Sequence, residues 1–154
     1  MTEQEYYQNI RQWAHDRNII EGLTPHSQFV KLVEEFSEIQ DDPLDGIGDS
    51  LVVMTIICAM RGVDIEHLIS MPTFNHDNPI SALGLLAGDI ARGRCVIDSM
   101  CNLITVIGDY CDMYHVDKVD CLAQAWNEIK DRKGIVREGV FIKSEDLNAD
   151  TEEV

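Results

Sequence analysis

Two short stretches carry the residues most able to do chemistry. Lys31-Leu-Val-Glu-Glu-Phe-Ser-Glu38 holds Glu34, Glu35 and Glu38, and Asp45-Gly-Ile-Gly-Asp49 follows a few residues later. On a helix, Lys31, Glu35 and Glu38 fall at i, i+4 and i+7 and share one face, with Glu34 one turn before Glu38. A second helix beginning near Asp45 would gather five carboxylates at one end of an apolar bundle. Hard divalent cations take oxygen ligands of this kind. Magnesium keeps several waters, so a few carboxylates suffice and substrate phosphates supply the rest. The grouping suits Mg²⁺, with Mn²⁺ as a substitute, holding the phosphates of a nucleotide. Like charges so close repel one another, which also favours a bound cation. The plainer alternative for Glu34, Glu35 and Glu38 alone is a solvated helix face. The acidic pair at the start of the next, apolar helix favours the site. A di-iron carboxylate bundle would need Glu-x-x-His motifs, and none occurs.

Composition narrows the classes. The 154 residues suffice for one domain with a real core, and 45 % are hydrophobic. The formal net charge of −16 opposes binding to nucleic acid or to an anionic membrane. A nucleotide can still bind where metal ions neutralise the site locally. Five cysteines, an odd number without a CxxC, point to buried thiols in a reduced cytoplasmic protein. The polar, acidic N-terminus does not resemble a signal peptide, and the apolar run Leu51 to Met60 is short for a bilayer.

The pattern that must position these residues is almost entirely helical. A first helix is expected from about Thr2 to Ile20, with Tyr6, Ile10, Trp13 and Ala14 on its apolar side. Thr24-Pro25 opens a second, ending at Asp41-Asp42-Pro43. A third spans about Leu44 to Arg61, apolar nearly all round beyond Asp49, with Gly62 as its stop. A short segment follows from Asp64 to about Ser70, then a loop from Met71 to Asp77. Asn78-Pro79 opens a fourth helix to about Arg92. A fifth covers about Cys95 to Tyr114, and a sixth about Asp117 to Lys133, stopped by Gly134. Gly139 to Ile142 suits a short extended piece. The acidic residues 144–154 read as a frayed tail. Sliding the chain by 53 positions lays Asp45 on Asp98, Cys58 on Cys111 and Asp64 on Asp117, with Asp49 on Asn102. Chance similarity between two apolar helices and a degenerate two-module repeat both explain this.

Near the C-terminus, Asn127, Lys130 and Asp131 share a helix face, with Lys133 at its edge. They could complement the helix dipole, or Lys130 could meet phosphate and Asn127 a sugar or base.

Taken together, these motifs resemble the MazG family of all-α nucleoside triphosphate pyrophosphohydrolases. That family carries Glu-x-x-Glu on one helix and Glu-x-x-Asp on the next. Glu35-Phe-Ser-Glu38 fits the first, and Asp49 fits the end of the second. The remaining glutamate falls on Gly46, with Asp45 one position earlier. Trp13 with Asp16-Arg17-Asn18, Thr24-Pro25, Gln28 through Glu38, and Ala125 through Lys143 extend the resemblance, which is closest to short phage-encoded members. It implies an all-α helical bundle of the MazG and dimeric dUTPase type over residues 1–143. It implies hydrolysis of a nucleoside triphosphate to monophosphate and pyrophosphate. Glu35, Glu38, Asp49 and Asp45 would hold the metal, and Glu34 or Glu35 would orient water. Gln28, Lys31, Asn127, Lys130 and Lys133 would contact substrate. The expected partner is a second copy of the chain, in a dimer or tetramer, unless the internal repeat completes the bundle. Gly46 in place of the glutamate leaves a catalytically silent nucleotide- or metal-binding module as the alternative.

Overall fold

Thr2 caps the first helix, α1 (Glu3–Asp16), through a reciprocal pair of bonds with Glu5. The computed structural model describes residues 1–71 and 78–147. The helix expected to reach Ile20 stops four residues short. Asn18 takes a left-handed conformation (φ 59°), which asparagine tolerates better than most residues. The chain then turns into a short α2 (Ile19–Gly22) that buries Ile19. Arg17 at the break donates to the carbonyl of Trp13 at 3.1 Å and to that of Arg132, and its guanidinium lies over the Trp13 ring.

Thr24 and Ser27 form the capping box of α3 (Pro25–Glu38). Leu32 and Phe36 face inward, while Glu34 and Glu38 face solvent. Asp42, expected only to help end this helix, accepts from the Asp45 amide and caps α4 (Pro43–Met60). α4 is buried without interruption from Gly46 to Cys58, except at Asp49. Its buried hydroxyls are satisfied within the helix, Ser50 on Gly46 and Thr55 on Leu51, both at 2.7 Å. α4 is long and apolar enough to cross a membrane by length and composition, but here it is the core helix.

Gly62 (φ 71°) ends α4 as expected, and α5 (Ile65–Ile69) follows. Arg11 clamps this corner with two bonds to Glu66, at 2.7 and 2.9 Å. The expected loop at Met71 to Asp77 lies outside the described residues, apart from Met71. Asn78 caps α6 (Pro79–Ala91), which packs on α7 (Ile97–Tyr114) and α3. Cys95, in the connection before α7, is exposed; the other four thiols are buried, so the expectation of buried cysteines fails at this one. α3 with α4, and α6 with α7, repeat the same order of capped helix and 18-residue helix.

Asp117 caps α8 (Lys118–Ile129) by accepting from the amides of Val119 and Asp120. The helix expected to reach Lys133 ends at Ile129. Beyond it the all-α expectation fails. β1 (Gly134–Arg137) and β2 (Val140–Lys143) form an antiparallel hairpin, Arg137 opposite Val140. Glu138 and Gly139 both have positive φ, the requirement of a two-residue turn matching strand twist. Gly134 is the strand's first residue rather than a helix stop, and Phe141 and the Ile142 carbonyl occupy the space a side chain there would need. Phe141 packs edge-on against Trp13, centroids 6.1 Å apart. Residues 144–147 form a further helical turn, and the rest of the expected tail, 148–154, lies outside the described residues. The described chain is thus mostly helical, with one small sheet.

α4 packs against α1, α2, α3, α5, α7 and α8. Its tightest neighbour is α8. A β-carbon on Gly48 would collide with the backbone carbonyl of Cys121 and lie 3.1 Å from Ala125. Gly48→Ala must therefore push α8 away, and overpacking of this kind destabilises by about 1–3 kcal/mol. A lowered midpoint in urea, with an unchanged slope, is the expected outcome.

Candidate metal centre and adjoining cavity

The flush contact of α8 on α4 decides the site. Asp45 and Asp49, one turn apart on α4, lie on the side that meets α8, and Glu128 projects towards them. Carboxylate oxygens of these three residues lie within 4.8 Å of one another. Gln124, one turn before Glu128, donates to Asp45 at 3.4 Å. Glu35 approaches from α3. Its Oε2 is buried and, among the described residues, has no hydrogen-bond partner.

The electrostatics follow from this crowding. Burial pushes the Asp49 carboxyl up to about 7, with Asp45, Glu35 and Glu128 adding repulsion and Lys31 opposing them. Glu35 is raised first by burial, then by Glu38, against the pull of Lys31. Glu128, largely exposed, is raised by partial loss of hydration and by Asp45, with Arg132 opposing. An orphaned carboxylate oxygen beside three converging carboxylates, all hard oxygen donors without thiol or imidazole, fits a magnesium-type cation. Asp45, Asp49, Glu128 and Glu35 could hold it.

Glu35, Asp49 and Glu128 of this group line a cavity of about 350 Å³, together with Lys31, Arg132 and Lys143. None of these three cations forms an ion pair among the described residues. Most of the remaining wall is apolar and includes Trp13, whose buried indole N–H has no partner among the described residues, Ile19, Leu23, Val52 and Phe141, with Ser27 and Gln28 among them. A second, more open recess shares Glu128, Arg132 and Lys143 and continues to Asn127, Asp131 and Lys133.

Of the residues singled out from sequence, Glu35, Asp49, Asp45, Gln28 and Lys31 are brought together. Glu38 is exposed beside Glu35, close enough to shift it, and lies outside the cavity wall, as does Glu34. Asn127 and Lys133 reach the second recess, while Lys130, exposed at the C-cap of α8, lines neither cavity. Glu128, Arg132 and Lys143 were not anticipated. The spacing of Gln124 and Glu128, one turn apart on a mostly polar face, was the available signal for the first. Lys143 had none, because the partner strand that folds its segment back to the site was unexpected, and Arg132 lies just beyond the end of α8.

No protein-family model matches the chain, and no solved structure does. A stretch is 44 % identical, over 69 residues, to an uncharacterized 18.2 kDa protein from the rep-hol intergenic region of Haemophilus phage HP1. The match covers 40 % of this chain and 42 % of the phage protein, less than half of each.

Asp49 sets a pH dependence of definite sign. Its folded value, about 7, lies above the ordinary 3.8. Between these values the native chain holds a proton that the unfolded chain has released. Its contribution to stability is full in acid and is lost as pH rises through about 7. Cation binding needs the deprotonated form, so Mg²⁺ or Mn²⁺ affinity should climb from pH 6 to 8, by up to about tenfold per unit for one proton released. Calorimetric titration across that range reads the affinity. Metal-free melting of Asp49→Asn should lack this group's part of the stability slope.

Proposed function

We propose that the protein is a Mg²⁺-dependent nucleoside triphosphate pyrophosphohydrolase, of the MazG type that its motifs resemble. The observation that carries the reading is the Glu35, Asp45, Asp49 and Glu128 cluster, with its bare buried oxygen, beside a mostly apolar cavity whose wall also holds cations that form no ion pair among the described residues. Such a wall suits a flat, weakly polar base together with a polyanion. The cluster would hold Mg²⁺, which would supply Lewis acidity at a phosphate and acidify a water. Glu35, partly dehydrated and raised in pKa, would orient a water or take its proton. Glu34, the other glutamate suited to this role by sequence, stands outside the wall. Lys31, Arg132 and Lys143 would offset charge on the phosphates, and Lys133 would extend that role into the second recess. The products would be nucleoside monophosphate and pyrophosphate.

The absence of a glutamate at position 46 supports a second reading, a nucleotide-binding module without turnover. Gly46 is buried against α3, and a β-carbon there would lie 2.9 Å from the Ile39 backbone. Asp45 is the neighbouring carboxylate that reaches the cluster. The paired order of α3–α4 and α6–α7 supports a duplicated ancestry, whose second half carries Asn102 where the first carries Asp49.

Release of pyrophosphate and monophosphate, measured with Mg²⁺ over a panel of ribo- and deoxyribonucleoside triphosphates, decides between the two. Turnover of at least one triphosphate is expected. Glu35→Ala and Asp49→Ala should lower kcat/KM by at least about a hundredfold. Glu34→Ala should stay near the parent, and Glu38→Ala should raise the Mg²⁺ requirement. Asp45→Ala should weaken Mg²⁺, and adding Gly46→Glu to it should not restore binding. A rise in melting temperature with Mg²⁺ and nucleotide, but no turnover of any triphosphate, would leave the binding module.

A further inference from the structure

We propose that Gln28 reads the edge of the nucleotide base; this rests on the nucleotide reading above. Among the described residues, five polar ones are buried: Gln28, Ser50, Thr55, Ser99 and Asn102. The three hydroxyls are satisfied by helix carbonyls. Gln28 is 6 % exposed, and its side-chain amide has no hydrogen-bond partner among the described residues. Asn102 lines neither cavity, whereas Gln28 sits in the wall of the first, among Ile19, Leu23, Val52 and Phe141. A primary amide carries two donors and an acceptor oxygen, and leaving them unpaired in an apolar wall is unfavourable. The Gln28 amide stands at the cavity wall without a protein partner, and a ligand in the cavity with its own donors and acceptors would supply one.

Placement on α3 gives the ligand its orientation. Gln28, Lys31 and Glu35 fall at i, i+3 and i+7, so one stripe of the helix runs from amide to ammonium to carboxylate. Gln28 and Glu35 are separated by roughly 10 Å along the axis. A sugar fits between a base edge at the first and metal-held phosphates at the last. The apolar residues beside Gln28 touch the faces of any base alike, so they give size and little identity. The amide presents a donor beside an acceptor with no partner of its own among the described residues; the unpartnered Trp13 indole N–H in the same wall can only donate, so the amide is the group able to tell one base edge from another.

The test compares wild type, Gln28→Leu and Gln28→Glu, using Mg²⁺ and the nucleoside triphosphates of the common bases. Wild type should separate best from worst base by at least about tenfold in kcat/KM. Gln28→Leu should collapse that spread, chiefly by raising KM for the preferred base. Its melting temperature without nucleotide should hold or rise, because an unsatisfied amide gives way to an apolar side chain of similar length. Gln28→Glu, acceptor-only when ionised, should move the ranking towards bases with an exocyclic amino group (cytosine, adenine and guanine) and away from uracil and thymine. An unchanged ranking in Gln28→Leu, a melting temperature lowered in that variant with the ranking kept, or a wild type that turns over all bases equally would overturn the inference and leave the pyrophosphohydrolase reading standing. Absence of both turnover and binding in wild type would remove that reading, and this one with it.

Discussion

Burial of α4 on all sides is the constraint on which the other elements depend. Thirteen residues without a polar face cannot lie at a surface, so α1, α2, α3, α5, α7 and α8 must wrap them. A helix so enclosed can interact with water only at its ends. Asp45 sits in its first turn, where negative charge is favoured by the helix dipole, and Asp49 one turn further on. The packing requirement and the placement of the acids are thus one arrangement. The core fixes the helix, and the helix presents its carboxylates at the rim.

Close approach then completes the cluster. α8 can bring Glu128 to Asp45 and Asp49 because Gly48 and Ala125 let the two helices touch nearly backbone to backbone. The same proximity raises the carboxyl groups of Asp49, Glu35 and Glu128, as like charges lose water together. This crowding opposes folding, and Lys31 and Arg132 relieve part of it.

Helix starts were legible in the sequence because their chemistry is local. Thr2, Thr24, Asn78 and Asp117 cap where capping residues should, with proline at the first helical position of α3 and α6. Helix ends were less so. α1 stops at Asp16 because Arg17 is held by a carbonyl from the far end of the chain, and no periodicity encodes that contact. The hairpin was half visible: Gly139 to Ile142 suggested extension, but of the partner strand Gly134–Arg137 only Gly134 was read, as a helix stop. For the site, Glu35 and Asp49 could be paired from helical spacing. Glu128 could not, since its place beside Asp45 depends on how closely two distant helices pack, and that depends on a glycine.

That the cluster draws its carboxylate from position 45 and not from 46 has a physical explanation in the α3–α4 corner. Residues 46 and 49 are three apart on a helix, and residues 45 and 49 are four apart; both pairs can share a face. Here position 46 faces the end of α3, where Ile39 is 1 % exposed and its backbone leaves no room for a side chain. A glutamate at 46 would have to open that corner, and with it the seam along which Glu35 meets Asp49. With glycine at 46 the two helices stay close, and Asp45 reaches the acids from the adjacent position, with Gln124 donating to it from α8. Glycine at 46 and the tight corner therefore go together: the short distance between α3 and α4 leaves no side chain at 46, and Asp45 supplies the carboxylate.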